Sequence, residues 1–144
     1  AVASTDVKSF EHLICTEQLS RRLGFKVGEE LIRVVRVRSL NGNARQVDHG
    51  YFLESIAKGL TPEIAAKSIY DYLEHKRGVK VMASRRTVSV ELANDEDCSY
   101  LDLGKYNCVA VMESQSYTSD GILFEVTHAR THPEIFHYRV NSKR

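Results

Sequence analysis

Two arginines two residues apart, Arg36 and Arg38, lie in the run LIRVVRVRSL from Leu31 to Leu40. The run is rich in β-branched residues, which suit a pleated, half-buried strand. Side chains two apart on a strand share a face, so both guanidiniums point the same way. Two like charges this close repel and are costly to desolvate unless an anion sits between them. Phosphate oxygens match the fork of a guanidinium, so the pair predicts a site for a phosphorylated small molecule. The plainer alternative is a sheet face kept wet by alternating arginines, and the choice between the two rests on the rest of the chain.

Four further polar residues bear on it. Asp48 follows Arg38 by ten residues, across the turn Asn41-Gly42-Asn43. A three-residue turn sets Asp48 opposite Arg36, whereas a two-residue Asn-Gly turn sends it to the other face. Its alternative is a solvent-exposed strand acid. Ser68 begins a helix in the pattern Ser68-Ile69-Tyr70-Asp71, where it caps free N–H groups and can also touch an anion. Tyr70, in that first turn, either offers its hydroxyl to a ligand or packs its ring in the core. Glu125 stands among apolar residues in GILFEVTHA, where a buried carboxylate needs an arginine or a ligand hydroxyl.

Elements to position these groups are legible along the chain. Strands are expected over Val7–Ile14, Glu30–Leu40, Ala44–Phe52, Val79–Leu92, Cys108–Tyr117 and Ile122–Thr131, with a last short one over Ile135–Val140. Thr16 caps a helix ending at Gly24, and Thr61-Pro62-Glu63 starts another. The helix from Ser68 runs to about Arg77, and one from Asn94 ends near Gly104. Hairpins interspersed with short helices predict one α+β domain around a mostly antiparallel sheet. No glycine-rich phosphate loop follows any strand.

Composition narrows the function. A formal net charge of +1 removes any bulk electrostatic footprint for nucleic acid. The 42% hydrophobic and 27% charged fractions fit an ordinary globular domain. No apolar run reaches membrane-spanning length, so no membrane partner is expected. Cys15, Cys98 and Cys108 show no metal-ligand spacing and read as buried thiols of a reducing, cytoplasmic compartment. The six histidines form neither a zinc pattern nor a catalytic one, and no catalytic residue, cofactor or metal is expected.

The order RVVRVRSLNG, VDHGYF, GLTPEI, SIYDYLEHKRGVKV, LDL and GILFEVTHARTHPEIFHY resembles the effector-binding (UTRA) domain of GntR-type transcription regulators of the HutC subfamily. The similarity runs from about Val7 to Tyr138. It implies a chorismate-lyase-like α+β fold, a homodimer, and a small-molecule effector, often a phosphosugar. DNA contact would come from an N-terminal winged helix that this chain lacks. By that resemblance Arg36, Arg38 and Ser68 hold a phosphate, Tyr70 lines the pocket, and Asp48 and Glu125 bind sugar hydroxyls. Asp48 replaces a family glutamate and is one methylene shorter. Thr131 replaces a family tyrosine, and His132-Pro133-Glu134-Ile135 replaces an Arg-x-Asp-Arg pattern. The stretch from Val47 to Glu74 looks closest to trehalose operon repressors, which makes trehalose 6-phosphate the expected effector and a repressor the expected whole protein. The alternatives are another effector, such as an amino-sugar phosphate, and a chorismate-lyase-like enzyme.

Overall fold

A computed structural model describes residues 2–142. Its frame is a single six-stranded antiparallel sheet. The strands are β1 (Ala3–Ile14), β2 (Glu30–Leu40), β3 (Asn43–Leu53), β4 (Val81–Leu92), β5 (Cys108–Thr118) and β6 (Leu123–Thr131), in the spatial order β1-β2-β3-β6-β5-β4. The helices are α1 (Glu17–Leu23), α2 (Pro62–Ala65), α3 (Ile69–Asp71) and α4 (Asp95–Tyr100). A five-residue π-helical turn, Tyr72–Lys76, continues α3. The mostly antiparallel α+β architecture expected from the sequence is the one observed.

Local chemistry accounts for most boundaries. Thr16 accepts from Leu19 N to start α1, and Gly24 ends it in the left-handed region at φ 101°. Thr61 and Ser68 cap α2 and α3 in the same way, each accepting from the amide three residues on. Asn94 and Asp97 form a reciprocal capping box on α4. That helix stops at Tyr100, four residues before Gly104, because Leu101 turns extended and buries its side chain. β1 starts at Ala3, four residues earlier than its alternation suggests, through pairing of Ala3 to Asp6 with β2. No strand forms over Ile135–Val140. β6 already has β3 and β5 on its two sides, and Pro133 supplies no N–H to a ladder. His132 to Ile135 instead make a turn.

The two sheet faces are packed differently. On one, α2 and α3 cover the β2–β3 end. On the other, α1 lies at one end and α4 at the other, with Val35, Val37, Val47, Leu101, Leu103, Val109 and Val111 forming a second apolar cluster beside α4. The larger cluster, around Phe25, Leu31, Ile32, Phe52, Phe124 and Val126, holds the helical segments to the sheet. Of the three thiols only Cys15 is buried; Cys98 is exposed on the outer side of α4, which corrects the expectation of three buried cysteines.

Candidate functional site

The turn between β2 and β3 decides where Asp48 points. Leu40 pairs with Asn43 across a two-residue Asn41-Gly42 turn, with Asn41 at φ 51° and Gly42 at φ 81°. By itself this turn would put Asp48 on the face opposite Arg36. A β-bulge at Arg45 inserts one extra residue, so that Ser39 pairs with Ala44 but Arg38 pairs with Gln46 and Arg36 with Asp48. The three-residue loop is therefore absent, and the bulge restores the same parity.

Strand register then lays the polar residues in transverse rows on one face. One row runs Arg36, Asp48, Ala129, Met112 across β2, β3, β6 and β5, and the next carries Arg38, Gln46 and Thr131. Two rows the other way, Phe52 stands opposite Glu125 and Glu125 opposite Ser116. Between them lies Gly50, where a Cβ would fall 2.7 Å from the Phe52 ring. The missing side chain lets that ring lie flat and leaves a depression in the floor. α2 and α3 form the wall above. The result is a cavity of about 320 Å³ lined by all six residues singled out in the sequence, Arg36, Arg38, Asp48, Ser68, Tyr70 and Glu125, together with Lys67, Thr127 and Ser114.

The charged groups in it are not equivalent. Arg36 and Asp48 form a largely buried ion pair at 2.5 Å, with side chains 13% and 10% exposed. Arg36 also donates to the Ala65 carbonyl at 3.4 Å, which ties β2 to α2. Among the described residues, no carboxylate lies within ion-pair distance of Arg38 or Lys67. Ser68 Oγ accepts from Asp71 N at 3.1 Å, so its O–H is left to donate. Tyr70 is 54% exposed and lines the cavity, so its ring is not a core residue. Burial, with the Asp48 carboxylate adding, pushes Glu125 up to about 7; Arg36 and a hydrogen bond from Ser116 pull the other way. Glu125 therefore holds its proton part of the time at neutral pH and can donate as well as accept.

Lys67 was invisible to sequence reasoning because a lysine before a helix cap is ordinary surface chemistry. Only the placement of α2 over the sheet brings it to the cavity. Thr131 is buried and accepts from Gln46 Nε2 at 2.9 Å, so it braces the floor beneath Arg38. Among the described residues, no group of three or more His, Cys, Asp or Glu is arranged to hold a metal ion.

An antiparallel six-stranded sheet with a charged cavity under short helices defines a ligand-binding module, and the comparisons with known proteins agree. Residues 1–137 match the UTRA domain, and the chain belongs to that family. It is 28% identical over 123 residues to the HTH-type transcriptional regulator TreR of Bacillus subtilis, covering 85% of this chain and 52% of that protein. Its fold superposes on the effector-binding domain of the B. subtilis trehalose repressor with a TM-score of 0.90, at 27% identity and 98% coverage of both chains. The HTH-type transcriptional repressor NagR of B. subtilis is 23% identical over 116 residues, covering 81% of this chain and 47% of that protein. The chain thus spans about half the length of these regulators.

Proposed function

We propose that this chain is the ligand-sensing domain of a cytoplasmic transcriptional repressor and that it binds a phosphorylated sugar, with trehalose 6-phosphate as the first candidate. One observation carries the reading: Arg38 and Lys67 are cations left without carboxylate partners among the described residues, on the rim of a cavity in which only Arg36 and Asp48 form an ion pair. The phosphate lies against Arg38, Lys67 and the Ser68 hydroxyl, with Arg36, held by Asp48, presenting the second guanidinium edge. Sugar hydroxyls meet Asp48 and Glu125, and Tyr70 closes the rim. No covalent chemistry is required. A ligand that prefers one arrangement of the homodimer shifts the population toward it, and DNA is contacted by a segment outside this chain.

Calorimetric titration with trehalose 6-phosphate tests this directly. Arg38→Ala is expected to weaken binding about 10- to 100-fold, the scale of lost charge-assisted hydrogen bonds. Its folding stability should stay within about 0.5 kcal/mol, since the residue is exposed. Equal affinity in the two proteins would remove the phosphate site. A second reading, a chorismate-lyase-like enzyme, is favoured by one feature: a carboxyl titrating near 7 suits a general acid. Turnover of chorismate by the wild type, abolished in Glu125→Gln, would establish it in place of the sensor.

A further inference from the structure

Seven of the glycines take a positive φ, which accounts for them; Gly50 does not. Its role is steric. Phe52, two residues on and on the same face of β3, folds its ring back over Gly50. A Cβ on Gly50 would fall 2.7 Å from one ring carbon and 3.0 Å from the next. Both lie well inside the contact distance of about 3.5–4.0 Å between carbons. Phe52 is 2% exposed and belongs to one buried cluster with Val34, Ile69 and Leu73, so the free space beside the ring is the cavity. A larger residue at position 50 would drive the ring into that space and raise the floor.

This part of the floor lies beyond Asp48 from the phosphate row. Along β3, Gln46 stands beside Arg38, Asp48 and Gly50 follow on the same face, and Phe52 comes next, opposite Glu125. Same-face residues are about 7 Å apart, which puts the Phe52–Glu125 row about 14 Å of strand beyond Asp48. Thr127 pairs with Gly50 and Ser114 with Thr127, and both line the cavity. A phosphate at Arg38 with one sugar ring over Asp48 leaves this floor to whatever is joined to that ring. The chemistry there suits a second ring. An aromatic surface meets its C–H groups, and two hydroxyls and a carboxyl border it to meet its hydroxyls.

We propose that Gly50, by letting the Phe52 ring lie low, makes the cavity deep enough for a second sugar ring and so selects a phosphorylated disaccharide over a phosphorylated monosaccharide. The inference rests on the phosphosugar reading above and adds to it the pair of residues that sets ligand length.

The test is calorimetric titration with trehalose 6-phosphate and with glucose 6-phosphate, the same ligand without its second ring. Wild type is expected to prefer the disaccharide by at least about 10-fold. Gly50→Ala should weaken trehalose 6-phosphate about 10- to 100-fold, the scale of one methyl group in a closed pocket, and glucose 6-phosphate by about threefold or less. Adding Phe52→Leu, which shortens the displaced side chain, should restore the preference. The readout is the ratio of the two affinities, which partial loss of folding leaves unchanged. Should Gly50→Ala not fold, Thr127→Val keeps the shape at that level and removes one hydroxyl. It is expected to weaken the disaccharide about fivefold and spare the monosaccharide. Equal losses for the two sugars in these variants, or no loss for either, would overturn the inference. Wild type binding both sugars equally would overturn it and leave the phosphate sensor standing, whereas wild type binding neither would overturn both.

Discussion

The two faces of the sheet carry similar residues to different ends. On the face under α2 and α3, the cavity holds three cations and two carboxylates, and only Arg36 and Asp48 are paired. On the opposite face, a groove of about 690 Å³ between α1 and α4 is lined by Arg22, Arg33, His49, Glu96, Glu113, His128 and Arg130, among others. Several of its polar groups contact one another, although Arg22 has no carboxylate within ion-pair distance among the described residues. His49 meets Glu96 at 2.5 Å, His128 meets Glu113 at 3.4 Å, and Arg33 reaches Glu11 at 3.0 Å. Arg130 forks onto Asp97 and also holds Glu91. Burial pushes the His128 imidazole down, with Arg22 and His49 adding and Glu113 opposing. The larger hollow is thus an internal bracing network that holds α4 to the sheet. The smaller one keeps unspent charge.

That contrast breaks first at Asp97, which is fully buried and serves both Arg130 and the α4 capping box. Asp97→Ala is expected to cost about 3–5 kcal/mol, the scale for breaking a buried ion pair. Urea denaturation reads the loss, and calorimetry on the protein that remains folded should show phosphosugar affinity unchanged. A large affinity loss instead would mean that the two faces act as one unit.

The next effect is smaller and belongs to the cavity. Glu125 has a folded pKa of about 7, above its ordinary value of 4.5. Between those two values the unfolded chain has lost the proton that the folded one keeps, so stability falls as pH rises through the window and levels off above 7. Below 4.5 the group contributes nothing. Glu125→Gln removes this slope and should gain on wild type by about 3 kcal/mol between pH 4 and pH 8. Thermal unfolding across that range checks it, and parallel curves for the two proteins would show that Glu125 titrates normally.

Smallest is Lys67, an exposed point charge on a flexible stem. Lys67→Ala should weaken trehalose 6-phosphate by about 1 kcal/mol, several-fold in affinity, and leave binding of unphosphorylated trehalose unchanged. Equal losses for both sugars would assign Lys67 to the rim rather than to the phosphate.

Most elements were readable because their signals are local. Thr16 with Gly24, Thr61-Pro62 and Asn94 with Asp97 act on amides within one turn, and the β-branched runs of β2 and β5 declare themselves. The same holds for Arg36 and Arg38, whose shared face follows from strand pleating alone. The bulge at Arg45 was not readable. Its residues carry no turn signature, and it is fixed by which register of β3 buries Val47, Gly50 and Phe52 while β6 pairs on the other side. The false strand over Ile135–Val140 failed for a related reason: its composition is suitable, but no free edge lies beside β6. His49 and His128 looked isolated because their carboxylates are distant in sequence and arrive through α4 and β5.

From its amino-acid order alone, this protein's strands, caps, paired arginines and family membership follow, since each depends on neighbours a few bonds away or on a linear pattern. Packing alone decided that Asp48 faces Arg36 and spends its charge there, that Lys67 stands over the sheet, and that β4 lies bare at an edge. These outcomes depend on register and strand order, which are set by burying the whole apolar surface at once rather than by any one segment.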